Sequence, residues 1–165
     1  MLMGYVVAYG AMEKGLNVTY LPAYGAEMRG GTANCTVTLS DEEIASPVAS
    51  EPDILVAMNS PSLEKFEPIV REGGLVLLNS SLIAESVRRS DLTEVRVPTT
   101  ELAREVGAER GSNMVMVGAL VGKAGLLSLE ETLRGMASAT KGKERFYDLN
   151  RKAIERGLAF VRDGR

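Results

Sequence analysis

Residues 53–79, DILVAMNSPSLEKFEPIVREGGLVLLN, decide the fold of this chain. The runs at residues 53–58 and 74–79 are short and almost continuously apolar, a pattern typical of parallel strands that are covered on both faces. Residues 60–71 between them predict a crossover helix with Ser60 as its N-cap. Because two parallel strands joined by a helix are the unit of α/β folds, the stretch predicts a sheet with helices packed against it.

The sequence before this unit predicts one helix and two strands. Residues 1–14 are apolar on nearly every face, which favours a helix packed between a sheet and another subunit, and Gly15 is expected to end it. Residues 17–21 and 35–39 alternate and are rich in β-forming side chains, so they predict strands. We expect residues 22–34 between them to form a loop.

The sequence after the unit continues the alternation of strands and helices. We expect a strand at 94–97, a helix at 100–106, a buried helix at 113–122 and amphipathic helices at 129–139 and 144–162. Alternating elements of this kind predict a doubly wound, mostly parallel sheet with helices on both faces, a Rossmann-like variant. No linker or internal repeat interrupts residues 1–165, so we interpret the chain as a single domain.

Composition excludes several classes of protein. The 165 residues are 45% hydrophobic and 25% charged with a net charge of -3, values that favour neither a disordered chain nor a nucleic-acid-binding protein. No apolar run reaches the roughly 20 residues that a membrane-spanning helix needs. The first twelve residues lack the basic flank and cleavage site of a signal peptide. We therefore expect a cytoplasmic protein with no nucleic-acid or membrane partner.

The residue types also limit the chemistry. The chain has no histidine and only one cysteine, Cys35, which excludes an internal disulfide, a multi-cysteine iron–sulfur site and the usual His-dependent nucleophile arrangements. We therefore predict no catalytic residue, no metal ligand and no complete active site in this chain alone. Cys35 is expected to be a small buried side chain, and Met114 and Met116 to be core residues.

The loop after the first strand is the most distinctive segment. Residues 22–32 combine an aromatic ring, a carboxylate and an arginine with three glycines. Such a loop can bring backbone N–H groups and a guanidinium to an anionic ligand. The alternative is a tight turn with a surface pair between Glu27 and Arg29, and spacing alone favours that alternative.

Four polar residues elsewhere are further candidates for ligand contact. Asn79, Ser80 and Ser81 follow the carboxyl end of a predicted parallel strand, where open α/β sheets collect ligands. Capping a helix is an equally weighted alternative for them. Asn113 precedes the predicted buried helix and is expected either to cap it or to contact a partner, with capping the more favoured.

The loop motif Tyr24-Gly25-x-Glu27-x-Arg29-Gly30-Gly31 resembles the signature of the gamma subunit of 2-oxoacid:ferredoxin oxidoreductases. Further segments match that family in its order over nearly the whole chain. They are Ser40-Asp41-Glu42-Glu43-Ile44-x-x-Pro47, residues 53–57, 73–76, 79–83 and 97–100, Asn113-Met114-Val115-x-x-Gly118-Ala119 and Asn150-x-x-Ala153. The resemblance implies a fold like the gamma domain of pyruvate:ferredoxin oxidoreductase.

The resemblance also implies partners and cofactors. It implies a hetero-oligomer with alpha, beta and sometimes delta subunits, which uses thiamine diphosphate, Mg²⁺, 4Fe-4S clusters and coenzyme A to decarboxylate a 2-oxoacid and reduce ferredoxin. None of these cofactors is expected to be bound by this chain alone, and the oxoacid is expected to depend on alpha and beta. The gamma part is expected to help bind coenzyme A, with candidate contacts at Tyr24, Gly25, Glu27, Arg29, Gly30, Gly31, Asn79, Ser80 and Asn113.

The sequence departs from the resembled family at its start. These subunits usually begin with a strand and a Gly-x-Gly-Gly-Gln-Gly turn, and here Met1 corresponds to the helix that follows. Ala23 and Ala26 replace the usual serine and proline. We therefore expect that the first strand of the sheet is missing from the chain. Two other hypotheses stay open: a stand-alone Rossmann-type nucleotide-binding protein, whose Gly-x-Gly-x-x-Gly turn is absent here, and a purely structural subunit.

Overall fold

The computed structural model describes residues 1–24, 33–142 and 144–164, and the predicted strands and helices are all present. In chain order they are α1 (Leu2–Glu13), β1 (Asn17–Ala23), β2 (Asn34–Ser40), β3 (Ile54–Ala57), α2 (Ser60–Phe66), β4 (Leu75–Asn79), β5 (Thr93–Val97), α3 (Thr99–Glu105), α4 (Ser112–Ala124), α5 (Leu129–Ala139) and α6 (Tyr147–Arg162). Short 3-10 helices cover Glu67–Ile69 and Glu144–Phe146. The predicted α/β class is confirmed.

The parallel sheet has the order β3-β4-β5, with β4 in the centre. Successive residues of β4 point to opposite faces, so Val76 and Leu78 pack into one apolar cluster while Leu77 packs with Val97 into another. All three of these β4 side chains are fully buried. Both faces of the central strand are therefore covered, as its continuous apolar sequence predicts.

The strands β1 and β2 pair with each other and form a separate antiparallel sheet. Their register runs from Asn17 opposite Ser40 to Ala23 opposite Asn34. The sequence predicts these strands correctly, but a mostly parallel sheet does not describe their pairing. Antiparallel pairing suits them because fewer residues separate them than the dozen or so that a parallel crossover connection needs.

The helix after β3 differs from its prediction at both ends. Its N-cap is Asn59, whose Oδ1 accepts a hydrogen bond from the backbone N–H of Ser62 at 2.9 Å, so the assignment of Ser60 as N-cap is wrong. The α-helical part ends at Phe66 rather than near Arg71. Pro68 lacks the N–H that would continue the helix, and the chain tightens into the 3-10 turn instead.

The helix α4 lies at the centre of the larger core. Eight consecutive residues, from Met114 to Val121, are buried, so the prediction of a buried helix is confirmed. Met114 and Met116 are core residues as expected, with 1% and 0% of their surface exposed. A helix that is apolar on all sides needs neighbours all around it, and α4 accordingly packs against α1, α3 and α6.

Glycine pairs allow the helix backbones to touch where they cross. A Cβ atom on Gly118 of α4 would lie 1.9 Å from the carbonyl oxygen of Ile154, and one on Gly157 of α6 would lie 1.9 Å from that of Val115. In the crossing of α1 and α5, a Cβ on Gly135 would lie 2.3 Å from the carbonyl oxygen of Val6. A methyl group at these positions would force the helices apart.

We expect Gly157→Ala to destabilise the fold by about 3 kcal/mol, the upper range for an overpacked core. Without a clash, replacing glycine by alanine within a helix should stabilise the helix by about 0.5–1 kcal/mol. Any loss of stability therefore reports the clash with the Val115 carbonyl. Urea denaturation followed by circular dichroism measures the change in the free energy of unfolding.

Gly107→Ala is the matched control for this prediction. Gly107 has φ +72° and no neighbouring atom within 4 Å of the added Cβ, so only backbone strain of about 1–2 kcal/mol opposes alanine there. A Gly157→Ala variant that is as stable as the wild type would show that the α4–α6 crossing tolerates a wider separation.

Candidate functional site

The predicted ligand loop follows β1 directly. Tyr24, its first aromatic residue, has 73% of its surface exposed. The other loop residues singled out from the sequence lie outside the described residues, namely Gly25, Glu27, Arg29, Gly30 and Gly31. Their contact with a ligand, and the alternative turn with a Glu27 and Arg29 pair, both stay predictions.

Asn79 joins two neighbouring loops at the carboxyl edge of the parallel sheet. It is the last residue of β4, has 1% of its surface exposed, and accepts hydrogen bonds at Oδ1 from Thr99 Oγ1 at 2.7 Å and from the Ser81 N–H at 3.2 Å. The backbone N–H of Ser81 can only donate, so it fixes the oxygen end of the amide. The nitrogen end is then the donor that Asn79 can offer to another group.

Ser81 forms the second link between these loops. Its Oγ accepts a hydrogen bond from the Thr100 N–H at 3.0 Å and donates one to Oε2 of Glu101. The hydrogen bond from Ser81 lowers the pKa of the Glu101 carboxyl. The backbone N–H of Ser80 also donates to the Val97 carbonyl at 3.0 Å. The loops after β4 and β5 therefore form one rigid edge.

The segment between β4 and β5 has no helix or strand, yet charged side chains hold it in place. The carboxylate of Glu67, which has only 5% of its surface exposed, accepts hydrogen bonds from the N–H groups of Arg88 at 2.6 Å and Arg89 at 2.8 Å. Arg96 donates to the carbonyls of Ile83 at 2.7 Å and Glu85 at 2.8 Å. A long loop fixed in this way is suited to presenting functional groups.

The structure places Asn113 in a local role. The helix α4 starts at Ser112 with Gly111 in the N-cap position, so the prediction that Asn113 caps this helix is wrong. Its Oδ1 accepts a hydrogen bond from the next N–H, that of Met114, at 3.0 Å. Within the described ranges, no hydrogen bond joins Asn113 to Asn79 or Ser80. Its proposed contact with a ligand stays a prediction.

Sequence reasoning missed Thr99 and Glu101, which complete the edge around Asn79 and Ser81. A signal was available, because the polar run at residues 99–101 follows the end of β5 after Pro98, just as the polar run at residues 79–81 begins at the end of β4. The carboxyl ends of neighbouring parallel strands meet at one edge. Glu67 gave no such signal, since its hydrogen-bond donors are more than 20 residues away from it in the sequence.

Cys35 is a free, partly buried cysteine on β2. A Cβ atom on Gly4 of α1 would lie 2.5 Å from its Sγ, so the thiol fills the space that this glycine leaves. Burial, and then the neighbouring Cys35, raise the pKa of the Tyr20 phenol. In the described part of the chain, no group of three or more His, Cys, Asp or Glu side chains is arranged to hold a metal ion.

A shallow groove of about 470 Å³ lies between α5 and α6, away from the polar edge. Its lining includes Leu133, Tyr147, Arg134 and Arg151. Each arginine already pairs with a glutamate of its own helix, so the groove offers no unbalanced positive charge. We do not assign a ligand to it. None of the described helices is long and apolar enough to cross a membrane.

A parallel sheet covered by helices, with polar side chains at its carboxyl edge, places this chain in the α/β class. Residues 1–160 match the family model described as pyruvate ferredoxin/flavodoxin oxidoreductase. The chain belongs to this family. The resemblance inferred from the sequence is therefore confirmed.

Two relatives illustrate how this domain is used. The ketoisovalerate oxidoreductase subunit VorA of Methanothermobacter marburgensis is 39% identical over 162 residues, a match that covers 97% of this chain and 34% of VorA. The 2-oxoglutarate synthase subunit KorC of the same organism is 32% identical over 173 residues, covering 99% of this chain and 90% of KorC. The chain thus spans about a third of the VorA relative and most of KorC.

Solved structures agree with the fold. The gamma subunit of a keto/oxoacid ferredoxin oxidoreductase from Geobacter sulfurreducens superposes with a TM-score of 0.84 at 27% identity, covering 99% of this chain and 91% of that one. The 2-oxoglutarate:ferredoxin oxidoreductase from Magnetococcus marinus gives a TM-score of 0.83 at 21% identity, with 98% of this chain and 28% of that one covered. The second likeness concerns the fold alone. The predicted likeness to a gamma domain is confirmed, and a stand-alone nucleotide-binding protein is not favoured.

We expect Ser81→Ala to raise the pKa of Glu101 toward its ordinary value of about 4.3. The hydrogen bond from Ser81 is the largest cause of the lowered pKa. A carboxyl whose pKa is lower in the folded than in the unfolded state stabilises the fold at pH values above the unfolded-state pKa. This stabilisation is lost as the pH falls through the folded-state pKa. The variant should therefore lose more stability at neutral pH than at strongly acid pH, where only the hydrogen bond from the Thr100 N–H to Ser81 is lost. Carboxyl NMR titration measures the pKa.

Ser80→Ala is the control, because it removes a neighbouring hydroxyl that does not bind Glu101. Its Glu101 titration should match that of the wild type. An unchanged pKa of Glu101 in Ser81→Ala would show that the hydrogen bond does not determine the charge of this edge.

Proposed function

We propose that this chain is the gamma-subunit domain of a 2-oxoacid:ferredoxin oxidoreductase, with residues 1–165 acting as one unit. The reaction converts a 2-oxoacid and coenzyme A into an acyl-CoA and carbon dioxide, and passes two electrons to ferredoxin. The observation that carries the proposal is the family match over residues 1–160. The fold of the Geobacter gamma subunit, with a TM-score of 0.84, supports it.

In this proposal other subunits hold the redox and carbon chemistry. An iron–sulfur cluster needs about four cysteine ligands, and this chain has Cys35 alone, so its residues do not fit a cluster. Thiamine diphosphate and Mg²⁺ belong to the alpha and beta subunits, with a delta subunit in some complexes. A cytoplasmic location suits the unpaired thiol. The chain is therefore inactive alone and works by assembly and ligand binding.

We infer that the ligand is coenzyme A, which supplies the thiol that takes the acyl group. The residues present suit its phosphates and amides. Arg29 and the glycine N–H groups of residues 25–31 would bind phosphate, and the side-chain nitrogen of Asn79 and the Ser80 hydroxyl would bind polar groups of the coenzyme. Support comes from the rigid carboxyl edge built around Asn79. Tyr24 and Glu27 would complete the loop, and Asn113 is a more distant candidate.

In this proposal, other subunits determine which oxoacid the enzyme accepts. Relatives of this one domain carry names with different substrates, namely ketoisovalerate, 2-oxoglutarate and indolepyruvate. Co-expression of the chain with the alpha and beta subunits should give coenzyme A-dependent ferredoxin reduction with one class among pyruvate, 2-oxoglutarate, branched-chain and aromatic oxoacids. A complex that has full activity without this chain would contradict the proposal.

We expect Arg29→Ala to raise the KM for coenzyme A in the assembled enzyme. Loss of a charged hydrogen bond to phosphate costs about 1–3 kcal/mol. The KM for the oxoacid should not change, because the oxoacid binds elsewhere. Steady-state kinetics with varied coenzyme A measures the effect.

Arg110→Ala is the control, since it removes the same charge from the segment before α4. Equal effects of the two variants would point to a general loss of positive charge. Unchanged assembly and an unchanged KM for coenzyme A in Arg29→Ala would contradict the role of the loop.

A further inference from the structure

The outer side of α1 is an exposed apolar surface that contains no charge. Residues 1–12 include no Asp, Glu, Lys or Arg. Tyr5, Tyr9 and Met12 have 43%, 39% and 58% of their surface exposed, and their spacing of four and three residues places them on one side of the helix. We call these three side chains the tyrosine face.

The fold holds the rings of the tyrosine face in place. The ring of Tyr5 stacks on that of Tyr20 from β1 with centroids 4.3 Å apart, and Tyr5 and Tyr9 stack at 6.4 Å. Tyrosines fixed in this way lose little conformational entropy when a partner binds, and tyrosine is enriched at the centre of protein interfaces. The surface is therefore suited to a protein partner.

The rest of α1 already has partners within the chain. Gly4, Val6 and Ala11 are buried, and Gly10 meets Gly135 at the crossing with α5. The tyrosine face is thus the side of α1 that the described residues of this chain leave exposed. A helix with one side facing water normally carries charged residues there, and α1 carries none until Glu13.

The relatives indicate which polypeptide accompanies this domain. The same domain makes up 34% of the VorA chain and 90% of the KorC chain. It therefore occurs both as part of a longer polypeptide and as nearly the whole of a named subunit. A domain that is covalently joined to a second polypeptide in one relative and separate in another needs a surface that binds this second polypeptide.

We propose that the tyrosine face binds the polypeptide that corresponds to the two thirds of VorA not spanned by this chain. This inference rests on the proposed function and adds the location of the contact. The partner must present an uncharged apolar surface, because the tyrosine face has no charge to pair, with acceptors for the two phenol hydroxyls. At its rim, Glu13 lies 3.9 Å from Arg134 of α5, so the charges there are balanced within the chain.

The test uses the full chain and, from the same source organism, the protein whose sequence matches the remaining part of VorA. Both are co-expressed, and the dissociation constant is measured by calorimetry for the wild type, Tyr9→Lys and Met12→Lys. Ile69→Lys is the matched control, because Ile69 is 44% exposed in the turn after α2. Circular dichroism melting checks that the variants fold.

We expect both α1 variants to raise the dissociation constant at least tenfold and the control to leave it unchanged. Wild-type affinity in Tyr9→Lys and Met12→Lys would overturn the location of the contact while leaving the proposed function intact. Equal weakening by Ile69→Lys would also overturn it. Failure of the wild-type chain to bind this protein would overturn the proposed function as well.

Self-association is tested separately by light scattering of the chain alone. The proposal expects any oligomer of the isolated chain to dissociate when the partner is added. A dimer that Tyr9→Lys disrupts and that the partner does not disrupt would assign the tyrosine face to a second copy of the chain, and would overturn the proposal.

Discussion

The contact between helix backbones at paired glycines is the constraint on which the rest of the structure depends. Gly118 and Gly157 bring α4 and α6 so close that a single methyl group at either would lie 1.9 Å from a carbonyl oxygen of the other helix. Because α4 is buried along eight consecutive residues, its position also sets where the sheet can pack. Leu77 and Val97, from the sheet, lie in the same core cluster as Met116.

This packing separates the parts that stabilise the domain from the parts that are available to bind a ligand or a partner. Helices cover one face of the parallel sheet, while α2 and the loop held by Glu67 cover the other. At the carboxyl edge, by contrast, polar Asn79 and Thr99 are buried with a hydrogen bond between them. A rigid scaffold with polar loops at this edge is the usual arrangement for ligand binding in α/β proteins.

The sequence predicted the existence and type of each strand and α-helix because apolar runs and helical spacing are local signals. It did not predict that β1 and β2 pair apart from the parallel sheet, since pairing depends on distant residues. The hydrogen bond between Asn79 and Thr99 spans 20 residues, so Asn79 was a candidate but its partner was not. The N-cap was placed one residue late because Asn59 and Ser60 both favour that position.

One feature of this chain breaks the local rules of stability, and the fold does not explain it. The tyrosine face leaves apolar side chains in water, whereas the polar side chains buried at the carboxyl edge are hydrogen-bonded to each other. A departure of this kind is expected at a functional site. The relatives of this domain carry the names of chemically different oxoacids. The proposed binding of the common acyl acceptor and the proposed attachment to other subunits are both tasks that would not change with the oxoacid.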